Sequence, residues 1–235
     1  MRATLTPIVV VLAFMFLFPA VLIAGIVDDS GNWIHRLGRL WAEIIIRTSG
    51  VKIEVQGHGH IPMGTPVVFA CNHASQFDIP IVQEALPIQF RFVVKKELFK
   101  IPLFGFALHH AGYIPIDRSG GKAALRSVQE AAERLKKGTP IVIFPEGTRS
   151  PDGRLMPFKV GGILIAIKAG CPIVPVAISG SHHVLPKGSI RVRPGRIRMT
   201  FGLPVQTVGP KGPIPKDVVT KKVWDSISAM LEEKP

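Results

Sequence analysis

Pro66-Val67-Val68-Phe69-Ala70-Cys71-Asn72-His73-Ala74-Ser75-Gln76-Phe77-Asp78 joins a short apolar run to a polar turn. The run is rich in β-branched residues and bounded by Gly64 and Asn72, which reads as a buried parallel strand. Ile79, Ile81, Val82, Ala85 and Leu86 then recur at helical spacing, predicting a helix that starts near Ser75. His73 therefore falls in the turn at a strand's carboxyl end, where open α/β sheets place their ligands. Residues five apart do not share a face of one helix, so His73 and Asp78 meet only with His73 on the loop and Asp78 in the first helical turn. There the carboxylate can accept the imidazole Nδ1–H and leave Nε2 free as a base. Ser75-x-x-Asp78 also resembles a capping box, and Ser75 reads as an N-cap before it reads as a catalytic group.

The same period change recurs along the chain. Val51 to Gln56 alternates, as an antiparallel or edge strand does. Phe90 to Val94, Gly112 to Ile116, Ile141 to Phe144 and Ile173 to Ile178 read as further strands, and Arg191 to Phe201 as strand material with a turn at Pro194-Gly195. Residues 122–137 form an amphipathic helix stopped by Gly138, and a second helix ends near Gly170. A Pro/Gly-rich link from Gly209 to Pro215 leads to a last helix over 217–231. The expected fold is α/β, a mostly parallel central sheet with helices on both faces, over residues 51–235.

Residues 1–50 read as a membrane-associating two-helix segment. Residues 3–27 carry no charge, and as a helix they measure about 37 Å against a hydrocarbon core of about 30 Å. Pro19 is expected to kink that helix, which either spans at a tilt or bends back within one leaflet. Asp28-Asp29-Ser30 supplies capping residues for a second helix ending at Gly50. Its spacing puts Trp33, Leu37, Leu40, Trp41 and Ile44 on one face and Arg36, Arg39, Glu43 and Arg47 on the other, as an interfacial helix requires.

The 235 residues carry 29 Lys plus Arg against 16 Asp plus Glu, a formal charge of +13. Such a surplus suits a polyanionic partner: nucleic acid, anionic lipid or a phosphorylated substrate. One Tyr, no zinc-finger spacing and no aromatic RNA-binding strand argue against nucleic acid. Two cysteines, Cys71 and Cys171, make no disulfide framework, and no cluster has metal-ligand spacing.

A second constellation, Phe144-Pro145-Glu146-Gly147-Thr148-Arg149-Ser150, leaves another buried strand. Gly147 permits close backbone approach to a ligand, and Arg149 offers a planar fork suited to phosphate oxygens. Glu146 and Thr148 are placed to hold that Arg or bond a hydroxyl. Lys95 and Arg118 also follow strand ends directly, so three cations gather near a His-Asp pair.

Asn72-His73-x4-Asp78, the pair Lys95 to Gly105 and Gly112 to Arg118, Phe144 to Ser150, and Val174 to Ile178 resemble, in order, the four motifs of the glycerolipid acyltransferases. The size and the N-terminal apolar pair are most similar to bacterial 1-acylglycerol-3-phosphate acyltransferases. The resemblance implies His73 as base and Asp78 as its orienting partner. It assigns phosphate to Lys95, Arg118 and Arg149, and the acceptor site to Glu146 and Gly147, with Thr148 beside them in the same substrate-binding loop. It implies lysophosphatidic acid as acceptor, acyl-CoA or acyl carrier protein (acyl-ACP) as the donor co-substrate, no other cofactor, and a place on an anionic membrane at the cytoplasmic face of the inner membrane. Backbone N–H groups near Ser75 are candidate oxyanion donors. Three readings compete: within the class, glycerol-3-phosphate or another lysophospholipid as acceptor; outside it, a Ser or Cys hydrolase, for which no Gly-x-Ser-x-Gly elbow is present, and a non-catalytic basic lipid-binding protein, which leaves the cations beside His73 unexplained.

Overall fold

The computed structural model describes residues 2–232. Two antiparallel helices, α1 (Arg2–Val27) and α2 (Asn32–Ser49), come first. Strand β1 (Lys52–Gln56), strand β2 (Val68–Cys71) and helix α3 (Asp78–Ala85) follow. Next come β3 (Arg91–Lys95), α4 (Phe104–His110), β4 (Ile114–Ile116), α5 (Gly121–Lys136), β5 (Ile141–Ile143), α6 (Val160–Ala169) and β6 (Ile173–Ser179). A short α7 (Ser181–Val184), β7 (Arg196–Phe201), a hairpin of β8 (Val208–Gly209) and β9 (Gly212–Pro213), and α8 (Lys216–Glu232) complete the described chain.

The main sheet has seven strands in the order β1-β7-β6-β2-β5-β3-β4. From β6 to β4 all neighbours are parallel; β7 joins β6 antiparallel, and β1 lies parallel to β7 at the edge. Both faces are covered. One buries Phe69, Cys71, Val142, Val174 and Phe201 against Ile45 and Ile46 of α2 and Ile81 and Val82 of α3. The other buries Val68, Ala70, Ile143 and Ile173 against Leu135 of α5, Ile163 of α6 and Val223 of α8. Burial on both sides is why these strands read as continuous apolar runs.

Two local expectations are corrected. Helix α3 begins at Asp78, not near Ser75. Pro80 lacks an N–H and clashes with the carbonyl four residues back, so it is tolerated only in a first turn. Strand β7 begins after the Pro194-Gly195 turn, and residues 191–195 are irregular. Helix α1 continues through Pro19 without a break.

The expected faces of α2 are also revised. It buries Ile34, His35, Ala42, Ile45, Ile46 and Ser49 toward the protein, while Trp33 is 59% and Leu40 43% exposed. Arg39 turns inward and donates to the carbonyls of Glu84 and Leu86, closing the end of α3. The outward stripe of α2 joins exposed Leu12, Phe16, Ile23 and Ile26 of α1, whose Leu5–Val27 stretch is long and apolar enough to cross a membrane.

Buried polar groups pin this hairpin to the sheet. Asp28 Oδ2 accepts the Trp33 N–H, capping α2 as expected. Gly31 has φ 70°, and a Cβ there would sit 2.6 Å from the His110 carbonyl oxygen. The Arg91 guanidinium donates to Ser30 O, Asn32 Oδ1 and Phe90 O. Gln83 Nε2 donates to His35 O, and its Oε1 accepts from the Tyr113 hydroxyl. Burial, then the charges of Arg91 and Arg39, push the His35 imidazole down to about 3, so it meets Phe90 edge-to-face as a neutral ring. Arg91→Ala leaves Ser30 O and Asn32 Oδ1 without their donor. It is expected to cost about 2–3 kcal/mol in denaturant unfolding and to open residues 28–32 to protease; an unchanged midpoint and cleavage pattern would show that the pin is dispensable.

Candidate active site

The carboxyl ends of β2 to β5 carry the polar loops. Asn72 leaves β2 and imitates a strand residue: its side-chain oxygen accepts the Ile178 N–H at 2.7 Å, and its Nδ2 donates to the Ile178 carbonyl at 3.0 Å. This fixes the chain one residue before His73. Sequence spacing gave Asn72 no such role.

His73 is held on every side. Its N–H donates to Glu146 Oε1 at 2.6 Å, and its carbonyl accepts the Ser150 N–H at 2.7 Å. Its ring stacks on Phe144, with centroids 4.2 Å apart. Its Nδ1 lies 2.8 Å from Asp78 Oδ2, the geometry expected of a loop His and a first-turn Asp. That oxygen also accepts the N–H groups of Ala74 and Ser75, both at 2.9 Å. A carboxylate oxygen that already gathers two N–H groups takes a third from Nδ1, so Nε2 carries the lone pair.

Two expectations around Ser75 change. Its hydroxyl accepts the Phe77 N–H and donates to the Leu185 carbonyl, making a local turn and a tether rather than an N-cap. The Ala74 and Ser75 N–H groups are spent on Asp78, so they are not oxyanion donors.

Glu146 sits beneath the site. It is 3% exposed, and its Oε2 accepts the Met156 N–H while Oε1 holds His73. Both oxygens thus accept backbone N–H groups. Burial raises its carboxyl from an ordinary 4.5 to about 7, against the lowering effect of the two N–H donors; the Asp78 charge adds to the rise. Gly147 has φ 73°, and Arg118 Nη1 donates to its carbonyl. Thr148 is exposed in the same loop. Arg149 reaches Gln76 Oε1 at 3.4 Å, and its carbonyl accepts from the Lys187 ammonium at 2.8 Å. Lys95 faces Glu97 at 3.7 Å, and the charge of Glu97 also acts on Arg118. Lys159 and Lys187, which sequence spacing did not single out, lie against the loop because α6 and the segment after α7 return to it.

Cys71 is fully buried in the core of β2, and burial, then the Asp78 charge, push its thiol well above the usual range. Its thiolate is disfavoured, which speaks against a cysteine nucleophile.

A family model described as Acyltransferase matches residues 52–179. A protein of Limnanthes alba named 1-acyl-sn-glycerol-3-phosphate acyltransferase is 40% identical over 177 residues, covering 73% of this chain and 62% of that protein. A Bos taurus protein named 1-acyl-sn-glycerol-3-phosphate acyltransferase alpha is 35% identical over 170 residues, covering 72% of this chain and 58% of that one. The chain thus spans about three-fifths of the length of these curated relatives. The crystal structure of the 1-acyl-sn-glycerophosphate (LPA) acyltransferase PlsC from Thermotoga maritima superposes with a TM-score of 0.82 at 27% identity, covering 99% of this chain and 97% of that one.

The raised Glu146 carboxyl predicts a pH dependence. The folded state keeps a proton that the unfolded chain releases between about 4.5 and about 7. This contribution is therefore intact below about 4.5 and is lost as the pH rises through about 7. Relative to Glu146→Gln, the wild type is expected to lose about 3 kcal/mol of unfolding free energy across that window. A difference that stays flat with pH would show Glu146 to be ionised throughout.

Proposed function

The chain belongs to the acyltransferase family, and on that premise we propose that it transfers an acyl group from acyl-CoA or acyl-ACP to the sn-2 hydroxyl of lysophosphatidic acid, giving phosphatidic acid. The observation that carries this reading is the free Nε2 of His73, with Nδ1 bound to a buried carboxylate beside a loop rich in cations. The names of the relatives support the same acceptor.

In the proposed mechanism, Nε2 takes the hydroxyl proton as the acceptor oxygen attacks the thioester carbonyl. The new C–O bond forms a tetrahedral intermediate. Asp78 stabilises the imidazolium and keeps its ring in place. The intermediate collapses with cleavage of the C–S bond, and the imidazolium returns its proton to the departing thiolate. Such acid–base help is worth about 10²–10⁴ in rate. Arg118 and Arg149 hold the acceptor's phosphate, with Lys95 at the rim. The outward apolar faces of α1 and α2 seat the protein on an anionic membrane at the cytoplasmic face of the inner membrane, where acceptor and product both reside.

His73→Ala is expected to lower turnover of labelled acyl-CoA with lysophosphatidic acid by about a thousandfold while the protein stays folded, since the backbone bonds of residue 73 remain. Asp78→Asn should approach that loss, because an amide cannot stabilise the imidazolium. Near wild-type turnover by His73→Ala at saturating substrates would sink the mechanism.

Cys71→Ala separates direct transfer from a covalent route. It should keep most of its activity, and intact-protein mass after incubation with acyl-CoA alone should show no adduct. A thioester-linked acyl group that disappears in this variant would replace direct transfer with an acyl-cysteine intermediate.

A further inference from the structure

Four cations crowd the loop that follows β5: Arg118, Arg149, Lys159 and Lys187. Lys159 precedes α6, and its backbone N–H donates to the Pro145 carbonyl at 2.7 Å. Its side chain then lies back across Gly147. A Cβ built on that glycine would sit 2.9 Å from Lys159 Cδ and 3.2 Å from its Nζ. Arg118 arrives at the same residue from the end of β4 and donates to its carbonyl. Two cations from different elements thus meet over one glycine.

Neither closes an ion pair among the described residues, although the charge of Glu97 acts on Arg118 from farther off. Among the described residues no carboxylate oxygen lies within 4.0 Å of the charged groups of Arg118 or Lys159. Some surface cations elsewhere are paired, as in Lys96 with Asp117 and Lys221 with Asp225. Like charges a few Å apart repel by about 1 kcal/mol even in water. A lysine stem has the freedom to swing away, yet this one stays on the loop. An anion between the two charges would turn that repulsion into attraction.

We propose that Lys159 is a phosphate-binding residue, forming with Arg118 a seat over Gly147 for a phosphate monoester dianion. The inference rests on the phosphorylated acceptor of the preceding reading and deepens it. Residue 147 has a left-handed φ of 73°, and a Cβ there would push the lysine stem aside. The seat is indexed to the base, because the neighbouring Glu146 holds the His73 N–H. The phosphate is either the acceptor's headgroup or the 3′-phosphate of the donor's nucleotide.

The test compares the full-length protein in detergent micelles with Lys159→Met, which keeps a stem over Gly147 without charge, and Lys159→Arg, which restores charge. Inorganic phosphate and glycerol-3-phosphate, added at constant ionic strength, should raise the Tm of the wild type and of Lys159→Arg but not of Lys159→Met. In turnover, Lys159→Met should raise the KM for lysophosphatidic acid about 10- to 100-fold with kcat within about threefold. A rise confined to acyl-CoA, and absent with the thioester of CoA lacking its 3′-phosphate, would assign the seat to the donor. Should the wild type fail to acylate lysophosphatidic acid while phosphate still stabilises it and not Lys159→Met, the seat stands and the proposed reaction falls. Equal stabilisation of Lys159→Met by phosphate, with both KM values unchanged, overturns the assignment.

Discussion

One carboxylate oxygen, Asp78 Oδ2, draws together three N–H groups: the backbone of Ala74, the backbone of Ser75 and the ring of His73. Asp78 is fully buried, so its charge cannot be left to water. Burying an ion costs several kcal/mol unless hydrogen bonds replace the lost hydration. The loop between β2 and α3 has to wrap around that oxygen to supply them. Loop shape, ring orientation and the first turn of α3 are therefore one solution to one electrostatic demand.

The rest of the site braces that loop from its neighbours in the sheet. Asn72 ties it to β6 through Ile178, and Glu146 and Ser150 tie it to the loop after β5. The polar oxygens around His73 are thus largely committed to backbone N–H groups. The cations are in a different state. Among the described residues the side-chain hydrogen bonds of Arg118 and Lys187 go to carbonyls, and that of Arg149 is one long contact to an amide. A rigidly held imidazole beside adaptable positive charges suits the proposed reaction, in which proton transfer tolerates little error while a flexible headgroup is gripped from several directions.

Much of this was legible in the residues. Strands buried on both faces announced themselves as unbroken apolar runs, and a five-residue offset between His73 and Asp78 left a single geometry in which they meet. What escaped has specific causes. Pro80 outweighed the apolar spacing that started α3 too early. Glu146 looked like a ligand group because its sequence neighbours are polar, but its two partners, His73 and Met156, are brought in by folding. Lys159 reaches Gly147 only through an irregular loop, to which no periodicity applies. Helix α2 misled because it is apolar in two directions, and a period of 3.6 reports one stripe at a time.

That double allegiance of α2 separates two kinds of change. Ile34, Ala42, Ile45 and Ile46 answer to the protein interior, whereas Trp33 and Leu40 answer to whatever lies outside it, and the two sets share no member. Substitutions on the outer stripe leave the interior packing untouched, and substitutions on the inner stripe leave the outer surface as it was. Grip on a surface and folding stability are in this helix separately adjustable quantities, so lineages facing bilayers of different composition can retune the first without disturbing the second.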